Sequence, residues 1–300
     1  MNFDTFGFTH QINAGISAAG YDTPTPIQQR AIPPILEGRD VLGLAQTGTG
    51  KTAAFVLPIL QRLRKGPRGK LRAVIISPTR ELAEQTHTAI GALGRQTGLR
   101  SLSIYGGVST RPQIKRLRAG TEIAVACPGR FLDLIGQRAI NLKSVEILVL
   151  DEADRLFDMG FLPDIRRIIA ALPAQRQTLL FSATMPDEIR SLADEFLHNP
   201  VTVKLGDSRP VETVDHALYP VEQSRKAELL LAILRQPGSD QVLVFTRTKY
   251  RAKRLAEKLK KAGLPATSLQ GNLSQNRRQD AMEKFRNGRV KVLVATDIAA

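Results

Sequence analysis

Two short segments carry the residues best suited to chemistry, AQTGTGKT at 45–52 and Asp-Glu-Ala-Asp at 151–154. The first combines closely spaced glycines with a lysine and a threonine, the composition of a loop whose backbone N–H groups surround phosphate. The second presents carboxylates directly after an apolar run, where they can hold a divalent cation and orient water. Together the two segments predict a nucleoside-triphosphate site.

The first segment is predicted to connect a strand to a helix. The apolar run Val41–Leu44 is typical of a buried strand, and a helical stretch begins at Thr52. The loop N–H groups and the helix dipole would then face an anion. We expect Lys51 to reach the β- and γ-phosphates and the Thr52 hydroxyl to bind Mg²⁺. The nucleotide-binding residues assigned to this loop are Gln46, Thr47, Gly48, Thr49, Gly50, Lys51 and Thr52.

One residue of this loop departs from the general pattern. Ala45 stands where the pattern has Gly. The alternative interpretation is a Gly-rich turn that only precedes a helix. The run GTGKT between a strand and a helix favours the phosphate loop.

The acidic segment follows Val145–Leu150, a run typical of a strand buried in a parallel sheet. Ligands of open α/β sheets bind at the carboxyl ends of such strands. We expect Asp151 to hold Mg²⁺ and Glu152 to orient or deprotonate the attacking water. Asp151, Glu152 and Lys51 are therefore the predicted catalytic residues. Asp154 is predicted to tie this loop to a neighbouring segment, with a helix cap as the alternative.

The chain resembles the DEAD-box ATP-dependent RNA helicases, whose motifs recur here in order. Residues 20–28 (GYDTPTPIQ) resemble the Q motif, which recognises adenine. The resemblance implies that Gln28 is the bidentate partner of the base, with Tyr21 and Thr23 beside it. Phe3 lies upstream at the distance where the family has an aromatic residue that stacks on the base. The sequence around the phosphate loop is most similar to that of the bacterial RhlE-type subgroup.

Further motifs imply an RNA site and a coupling element. Segments 78–83 (PTRELA), 106–107 (GG) and 128–130 (PGR) resemble the RNA-backbone contacts of the family's first domain. In the second domain, Thr246 belongs to a motif IV-like run, Gln275 and Arg278 fit the QxxR element, and 294–297 (VATD) resembles the opening of motif V. The implied RNA-binding residues are Pro78, Thr79, Arg80, Gly106, Gly107, Pro128, Gly129, Arg130, Thr246, Gln275, Arg278 and Thr296; Asp297 is assigned to the nucleotide. The implied coupling residues are Ser182, Ala183, Thr184 and Asp154.

The sequence departs from the family pattern in two places. Cys127 stands where the family usually has Thr before Pro-Gly-Arg, so a hydroxyl that could meet a phosphate is replaced by a weak thiol donor. The printed sequence also ends inside the motif V-like segment, before the element that carries the family's arginine fingers. From that difference we expect this chain to bind ATP but to hydrolyse it slowly, because such arginines contribute roughly 10³–10⁵ in rate.

Apolar strand-like runs alternate with helical stretches along the whole chain, which predicts parallel sheets. Combined with the resemblance, the fold class is α/β, with tandem RecA-like parallel sheets covered by helices on both faces and an incomplete second domain. The predicted divisions are a Q-motif region (1–30), a first domain (31–205), a polar linker (206–214) and a partial second domain (215–300). A strand is also predicted at Ala217–Tyr219.

Composition restricts the classes of function. The 300 residues include one cysteine, no tryptophan and no apolar run near the ~18 residues of a membrane span. The first residues do not resemble a signal peptide, so we expect a cytoplasmic protein in a reducing compartment, with no membrane partner.

The charge predicts a polyanionic partner. The formal net charge is +15. Residues 221–300 contain 17 Lys and Arg against 7 Asp and Glu, a net of +10, which leaves +5 for the first 220 residues. Such an excess is typical of nucleic-acid binding, although single lysines on a helix are as readily explained by solvation. Scarce aromatic residues argue for recognition of the RNA backbone rather than base stacking.

Three functions remain. The first is an ATP-dependent RNA helicase with ATP and Mg²⁺, which unwinds short duplexes when ATP closes two domains on the RNA. The second is a piece that binds nucleotide and RNA without efficient turnover. The third is another P-loop ATPase such as a DNA translocase, which the Q-motif-like segment and PTRELA argue against. Precursors of ribosomes, the RNA-decay machinery and the cold response are all compatible contexts.

Overall fold

The computed structural model describes residues 2–205, 215–236, 238 and 241–296. The chain divides into two compact units, Met1–Ser208 and Arg209–Ala300. The predicted linker, 206–214, and Asp297 lie outside the described residues. The predicted boundary at residue 30, between the Q-motif region and the first domain, stays a prediction.

The first unit contains one sheet of seven parallel strands in the order β3-β4-β2-β5-β6-β1-β7. The strands are β1 (Val41–Leu44), β2 (Ala73–Ile76), β3 (Ser101–Ile104), β4 (Ile123–Ala126), β5 (Ile147–Leu150), β6 (Gln177–Ser182) and β7 (Val201–Lys204). Strands β2, β4, β5 and β6 are buried at every residue, as expected for continuous apolar runs covered on both faces.

Helices cover both faces of this sheet. After a 3₁₀ turn (Phe3–Phe6), they are α1 (His10–Ala18), α2 (Pro26–Leu36), α3 (Lys51–Leu63), α4 (Arg80–Leu93), α5 (Thr110–Arg118), α6 (Pro128–Gly136), α7 (Ala153–Asp158), α8 (Leu162–Ala170) and α9 (Asp187–Phe196). One apolar cluster packs α1 to α4 against the sheet, and a second packs α5 to α9 against the opposite face. Because every strand pair is parallel, all carboxyl ends of the strands meet at one edge.

Two buried carboxylates fasten loops at the opposite, amino edge of this sheet. Asp40 accepts hydrogen bonds from the N–H groups of Thr178 and His198, each at 2.7 Å. Glu122 accepts from the N–H groups of Gly69 and Arg100 at 2.7 and 2.8 Å. Hydrogen bonds to charged groups are the strong ones, so these contacts stabilise the base of the unit.

The second unit contains a parallel three-stranded sheet in the order β8-β10-β9. Its strands are β8 (Val242–Phe245), β9 (Ala266–Leu269) and β10 (Val292–Ala295), and its helices are α10 (Lys226–Leu234), α11 (Lys249–Lys261) and α12 (Gln275–Arg286). The central strand β10 is buried throughout, with apolar clusters on both of its faces. The edge strand β8 leaves Leu243 and Phe245 about half exposed.

The predicted α/β class with two parallel sheets surrounded by helices is confirmed. The strand predicted at Ala217–Tyr219 is wrong, because that segment joins no sheet and Leu218 is 92% exposed. Across the described residues, no helix has the length and apolarity that crossing a membrane requires.

Candidate functional site

The phosphate loop joins β1 to α3 at the carboxyl edge of the sheet. Gly50 caps α3 in the left-handed region, with φ +94°, where residues with a side chain are rarely found. A Cβ at this position would lie 2.5 Å from Gln28 Nε2. Glycine at position 50 therefore satisfies two requirements, the backbone conformation and the close approach of the preceding motif.

Lys51 is the first residue of α3, and its side chain points into the protein. Only 6% of the residue is exposed. Among the residues that the structure describes, its ammonium Nζ is buried without a hydrogen-bond partner. A buried charge without a partner is costly, so this geometry fits a ligand that brings negative charge. The phosphates of a nucleotide fit the requirement.

Gln28 connects the Q-motif-like segment to the phosphate loop. Its Oε1 accepts from the Thr25 N–H at 2.9 Å, and its Nε2 donates to the Gly50 carbonyl at 3.1 Å. The first bond belongs to a capping box that begins α2. Oε1 can accept one further hydrogen bond and Nε2 can donate one more, which is what a bidentate contact with adenine requires. The contact itself stays a prediction.

The two aromatic residues assigned to the base differ in exposure. Phe3 is 5% exposed, and its ring packs against Phe6 and Tyr21 at centroid distances of 6.0 and 6.3 Å. Tyr21 is 38% exposed. The burial of Phe3 is explained by packing in the core, and the Tyr21 ring has more surface available for a ligand. Thr23 is exposed in the same loop.

Asp151 follows β5 and is 5% exposed. Burial raises the pKa of its carboxyl to about 7, with Lys51 opposing the rise and Glu152 adding to it. Its backbone N–H donates to the Ile76 carbonyl of the neighbouring strand β2 at 2.9 Å. A buried carboxylate beside a buried ammonium is a suitable anchor for Mg²⁺ next to phosphate.

Glu152 adopts a backbone conformation that is unusual for a residue with a side chain, with φ +51° and ψ +56°. Its Oε1 accepts a long hydrogen bond from the Thr47 hydroxyl at 3.4 Å, and its Oε2 lies 3.7 Å from Arg155 Nη1. The strained turn thus holds the carboxylate beside the phosphate loop. Strain of this kind is concentrated at functional sites.

Asp154 is hydrogen-bonded to the predicted coupling segment, residues 182–184, at the end of β6. Its Oδ2 accepts from the Thr184 hydroxyl and N–H, both at 2.9 Å, and from the Ala183 N–H at 3.2 Å. Its own N–H donates to Ser182 Oγ at 3.2 Å. Burial raises the pKa of Asp154, but the bonds from Thr184 outweigh it and leave the pKa below its usual value. The acidic turn and the segment 182–184 are thereby joined.

The RNA-backbone motifs of the first unit follow β2, β3 and β4. Thr79 caps α4, accepting from the Leu82 N–H at 3.3 Å, and Pro128 is the first residue of α6. Gly107 has φ +79°, and a Cβ there would lie 2.2 Å from Arg80 Nη1, so the guanidinium covers this glycine. Arg130 Nη1 donates to the carbonyl of Val108, the residue after Gly107, at 3.1 Å. The structure thus brings these three predicted motifs together.

Cys127 is the N-cap residue of α6, and its side chain makes no capping hydrogen bond. Burial raises the pKa of its thiol to about 12. The thiol therefore remains neutral, and a neutral thiol is only a weak hydrogen-bond donor. This geometry agrees with leaving Cys127 out of the predicted RNA site.

Two residues that hold the glycine-rich RNA motif were missed by the sequence analysis. Gln113 of α5 donates through Nε2 to the carbonyls of Tyr105 and Ser109 at 3.2 and 3.3 Å. Glu84 of α4 accepts hydrogen bonds from Ser103 Oγ at 2.6 Å and from the Tyr105 hydroxyl. Burial is the largest cause of the raised pKa of Tyr105, and the hydrogen bond to Glu84 is the second. The only available signal was the position of Glu84, one helical turn after Arg80.

In the second unit, predicted RNA residues lie at the carboxyl ends of adjacent strands. Thr246 follows β8, and its N–H donates to the Ala295 carbonyl at 2.8 Å. Thr296 follows β10 and is 6% exposed. Gln275 and Arg278 lie in the first turn of α12 and are 3% and 5% exposed. Their RNA contacts stay predictions.

Comparisons with known proteins agree with this architecture. A family model described as DEAD/DEAH box helicase matches residues 25–192, and one described as helicase conserved C-terminal domain matches 225–300. The chain is 43% identical to the DEAD-box ATP-dependent RNA helicase CshA of Streptococcus pneumoniae over all of its length. It is 44% identical to the RNA helicase CrhR of Synechocystis over 94% of its length. It covers 57% of the length of each of these relatives.

A solved structure is similar over nearly the whole chain. The crystal structure of a DEAD box protein from the hyperthermophile Methanococcus jannaschii aligns with a TM-score of 0.65 and 35% identity, covering 99% of this chain and 80% of that one. The family match includes the phosphate loop, the acidic turn and the segment 182–184. The chain therefore belongs to the DEAD-box family of ATP-dependent RNA helicases.

Proposed function

We propose that this chain is the core of an ATP-dependent RNA helicase, which binds Mg²⁺-ATP in its first unit and RNA through the backbone. The observation that carries the proposal is the buried Lys51 ammonium, which has no hydrogen-bond partner among the described residues and acts electrostatically on the buried Asp151. A triphosphate supplies the hydrogen-bond acceptors that this ammonium lacks, together with negative charge.

The residues at this edge fit the metal and the nucleotide. Asp151 and the Thr52 hydroxyl would hold Mg²⁺, which when bound neutralises charge on the β- and γ-phosphates. Gly48 and Gly50 keep the loop backbone free to face the phosphates, and Lys51 adds a fixed positive charge. Glu152, held by its strained turn, orients the attacking water and accepts its proton.

Asp154 is proposed to connect hydrolysis to the movement of RNA. It belongs to the same four-residue turn as Asp151 and Glu152, and it is bonded to Thr184 and Ala183. A shift of the turn on loss of the γ-phosphate would therefore displace the segment 182–184. We propose that ATP and RNA favour a closed arrangement of the two units and that closure separates a short duplex.

RNA is proposed as the partner, both as a single strand and as a short duplex. In the first unit, the backbone-binding residues are Arg80, Gly107 and Arg130 with their flanking residues, and in the second unit Thr246 and Thr296 are proposed to act with the QxxR pair. Recognition through phosphates and 2′-hydroxyls accounts for the basic composition without a base code. Ribosomal precursors and the RNA-decay machinery are the proposed contexts.

The nucleotide site is tested by calorimetric titration of Mg²⁺-ATP into the chain and into Lys51→Ala. We expect a binding isotherm for the wild type and at least ~100-fold weaker binding for the variant, because the buried ammonium is lost. Lys65→Ala, an exposed lysine just beyond α3, is the matched control and should bind normally. Equal binding by the wild type and Lys51→Ala would refute the site.

Turnover distinguishes the helicase from the alternative, a nucleotide- and RNA-binding piece without efficient hydrolysis. Phosphate release is measured with and without RNA, beside strand displacement of a short duplex. RNA-stimulated release together with displacement supports a complete catalytic core in this chain. ATP and RNA binding with slow, unstimulated release supports the alternative.

A further inference from the structure

Helix α5 carries a row of cations on one side. Its sequence, TRPQIKRLR, contains no acidic residue. Arg111, Lys115 and Arg118 are four and three residues apart, so they lie on one side of the helix. All three are exposed. Ile114 and Leu117 of the same helix are partly buried and pack against the apolar cluster on this face of the sheet.

These three cations have no acidic partner among the residues that the structure describes, since none of the salt bridges there involves them. Some exposed cations of the same unit are paired, as Arg166 is with Glu195 at 2.9 Å. The row is therefore a concentrated positive charge that neighbouring carboxylates do not neutralise. Such a charge attracts a polyanion.

The row is held rigidly against the predicted RNA motif. Gln113, 6% exposed in the same helix, donates to the carbonyls of Tyr105 and Ser109, which flank Gly106 and Gly107. The helix thus begins at the loop whose Gly107 contacts Arg80. This anchoring favours RNA over an acidic protein as the partner, because RNA bound at the motif would already lie beside the first cation.

The direction of the helix follows from the topology. Strands β3 and β4 are parallel neighbours, so α5 must run from the carboxyl edge of the sheet back to the amino edge. Lys115 and Arg118 lie about 6 and 10 Å along the helix from Arg111. The cations therefore extend from the RNA motif toward the base of the unit, beyond the residues that the family resemblance assigns.

We propose that the Arg111–Lys115–Arg118 row is an additional phosphate-binding surface, which holds the segment of RNA that leaves the Gly106–Gly107 motif. The proposal rests on the proposed function, and it adds a direction and a length to the RNA-binding surface. A short RNA would occupy only the motif residues. A longer RNA would also contact the row.

The test compares an oligouridine of about 6 nucleotides, near the lower end of ordinary single-strand site sizes, with one of about 20, which exceeds their upper end. Affinity is measured by fluorescence anisotropy as a function of KCl concentration. The variant is Arg111→Gln/Lys115→Gln/Arg118→Gln. The control is Arg39→Gln/Lys65→Gln/Lys143→Gln, which removes the same charge from exposed residues at the amino edge. Thermal melts establish that both variants fold.

For the longer RNA, we expect the row variant to lower the salt slope of log Kobs by about 2, since each neutralised phosphate of a single strand contributes about 0.7. The short RNA and the control variant should keep the wild-type slope. Arg111→Lys/Arg118→Lys should retain the slope, because the charge rather than the guanidinium shape is needed.

Three outcomes would overturn the proposal. An unchanged slope for the longer RNA would remove the contact. An equal decrease of the salt slope for both RNAs would show that the row belongs to the Gly106–Gly107 motif. An equal decrease in the control variant would show that the effect comes from net charge alone. Failure of the proposed function is recognised separately, because Arg80→Gln/Arg130→Gln would then leave the binding of both RNAs unchanged.

Discussion

The carboxyl edge of the first sheet contains two groups of predicted site residues, the nucleotide half and the RNA half, which differ in how deeply their charges are buried. Around β1 and β5, the nucleotide half buries its charges: Lys51 and Asp151 are 6% and 5% exposed. Around β2, β3 and β4, the RNA half leaves its arginines partly exposed, with Arg80 against Gly107 and the Arg130 side chain, 12% exposed, bonded to Val108. Buried charges interact strongly and tolerate few changes, whereas surface contacts are weak, additive and screened by salt. The two halves should therefore respond differently to mutation.

The largest expected effect is in the nucleotide half. Glu152→Gln should retain Mg²⁺-ATP binding and lower the rate of hydrolysis by about 10²–10⁴, because the amide cannot accept a proton from water. Binding is measured by calorimetry and turnover by phosphate release. Glu37→Gln, at an exposed helix end, is the control. Unchanged turnover in Glu152→Gln would show that this residue does not accept a proton during hydrolysis.

A backbone change in the same half should have the next largest effect. Gly50→Ala places a Cβ at φ +94° and 2.5 Å from Gln28 Nε2, which costs about 1–3 kcal/mol in strain and displaces Gln28. We expect ATP affinity to fall by about tenfold to a hundredfold. Gly91→Ala is the control, since its Cβ would meet no atom within 4 Å. Normal ATP binding by Gly50→Ala would contradict the tight approach.

A partly exposed arginine should have a smaller, salt-dependent effect. Arg80→Gln should weaken RNA binding by about tenfold at low salt and reduce the salt slope by about 0.7, because one phosphate contact is lost. ATP affinity without RNA should stay unchanged. Anisotropy titrations over a range of KCl concentrations measure both quantities, with the exposed Arg95→Gln as the control. An effect that persists unchanged at high salt would place Arg80 with the buried charges instead.

The smallest effect concerns pH. Burial lowers the pKa of His87, with Glu84 opposing this change and Arg116 adding to it, and Ser101 Oγ lies 2.8 Å from its Nδ1. The unfolded chain then binds the proton more readily, so the stabilising contribution is complete above the unfolded pKa of about 6.5 and is lost as pH falls through the folded pKa. Denaturant titrations of wild type and His87→Gln between pH 5 and 8 should show a steeper loss of stability at low pH for the wild type. Parallel curves of stability against pH for the two proteins would refute the predicted contribution of His87.

Local patterns predicted more of the nucleotide half than of the RNA half. The phosphate loop and the acidic turn are contiguous in sequence, so their spacing indicated both the strand–loop–helix geometry and the site. The contacts of Gln113 and Glu84 depend on which helix packs beside which strand, and no single segment contains that information. Even helix boundaries follow such details: α3 begins at Lys51 rather than at Thr52 because Gly50 caps it in the left-handed region.

The hydrogen bonds of Asp40 and Glu122 have a practical consequence for experiments on motion. They hold strand ends and loops at the edge of the sheet opposite both predicted ligand sites. A fluorophore or spin label placed there, for example at exposed Lys143, would sit on a stationary reference. Distances from that reference to a second label near Thr184 would then report displacement of the coupling segment alone.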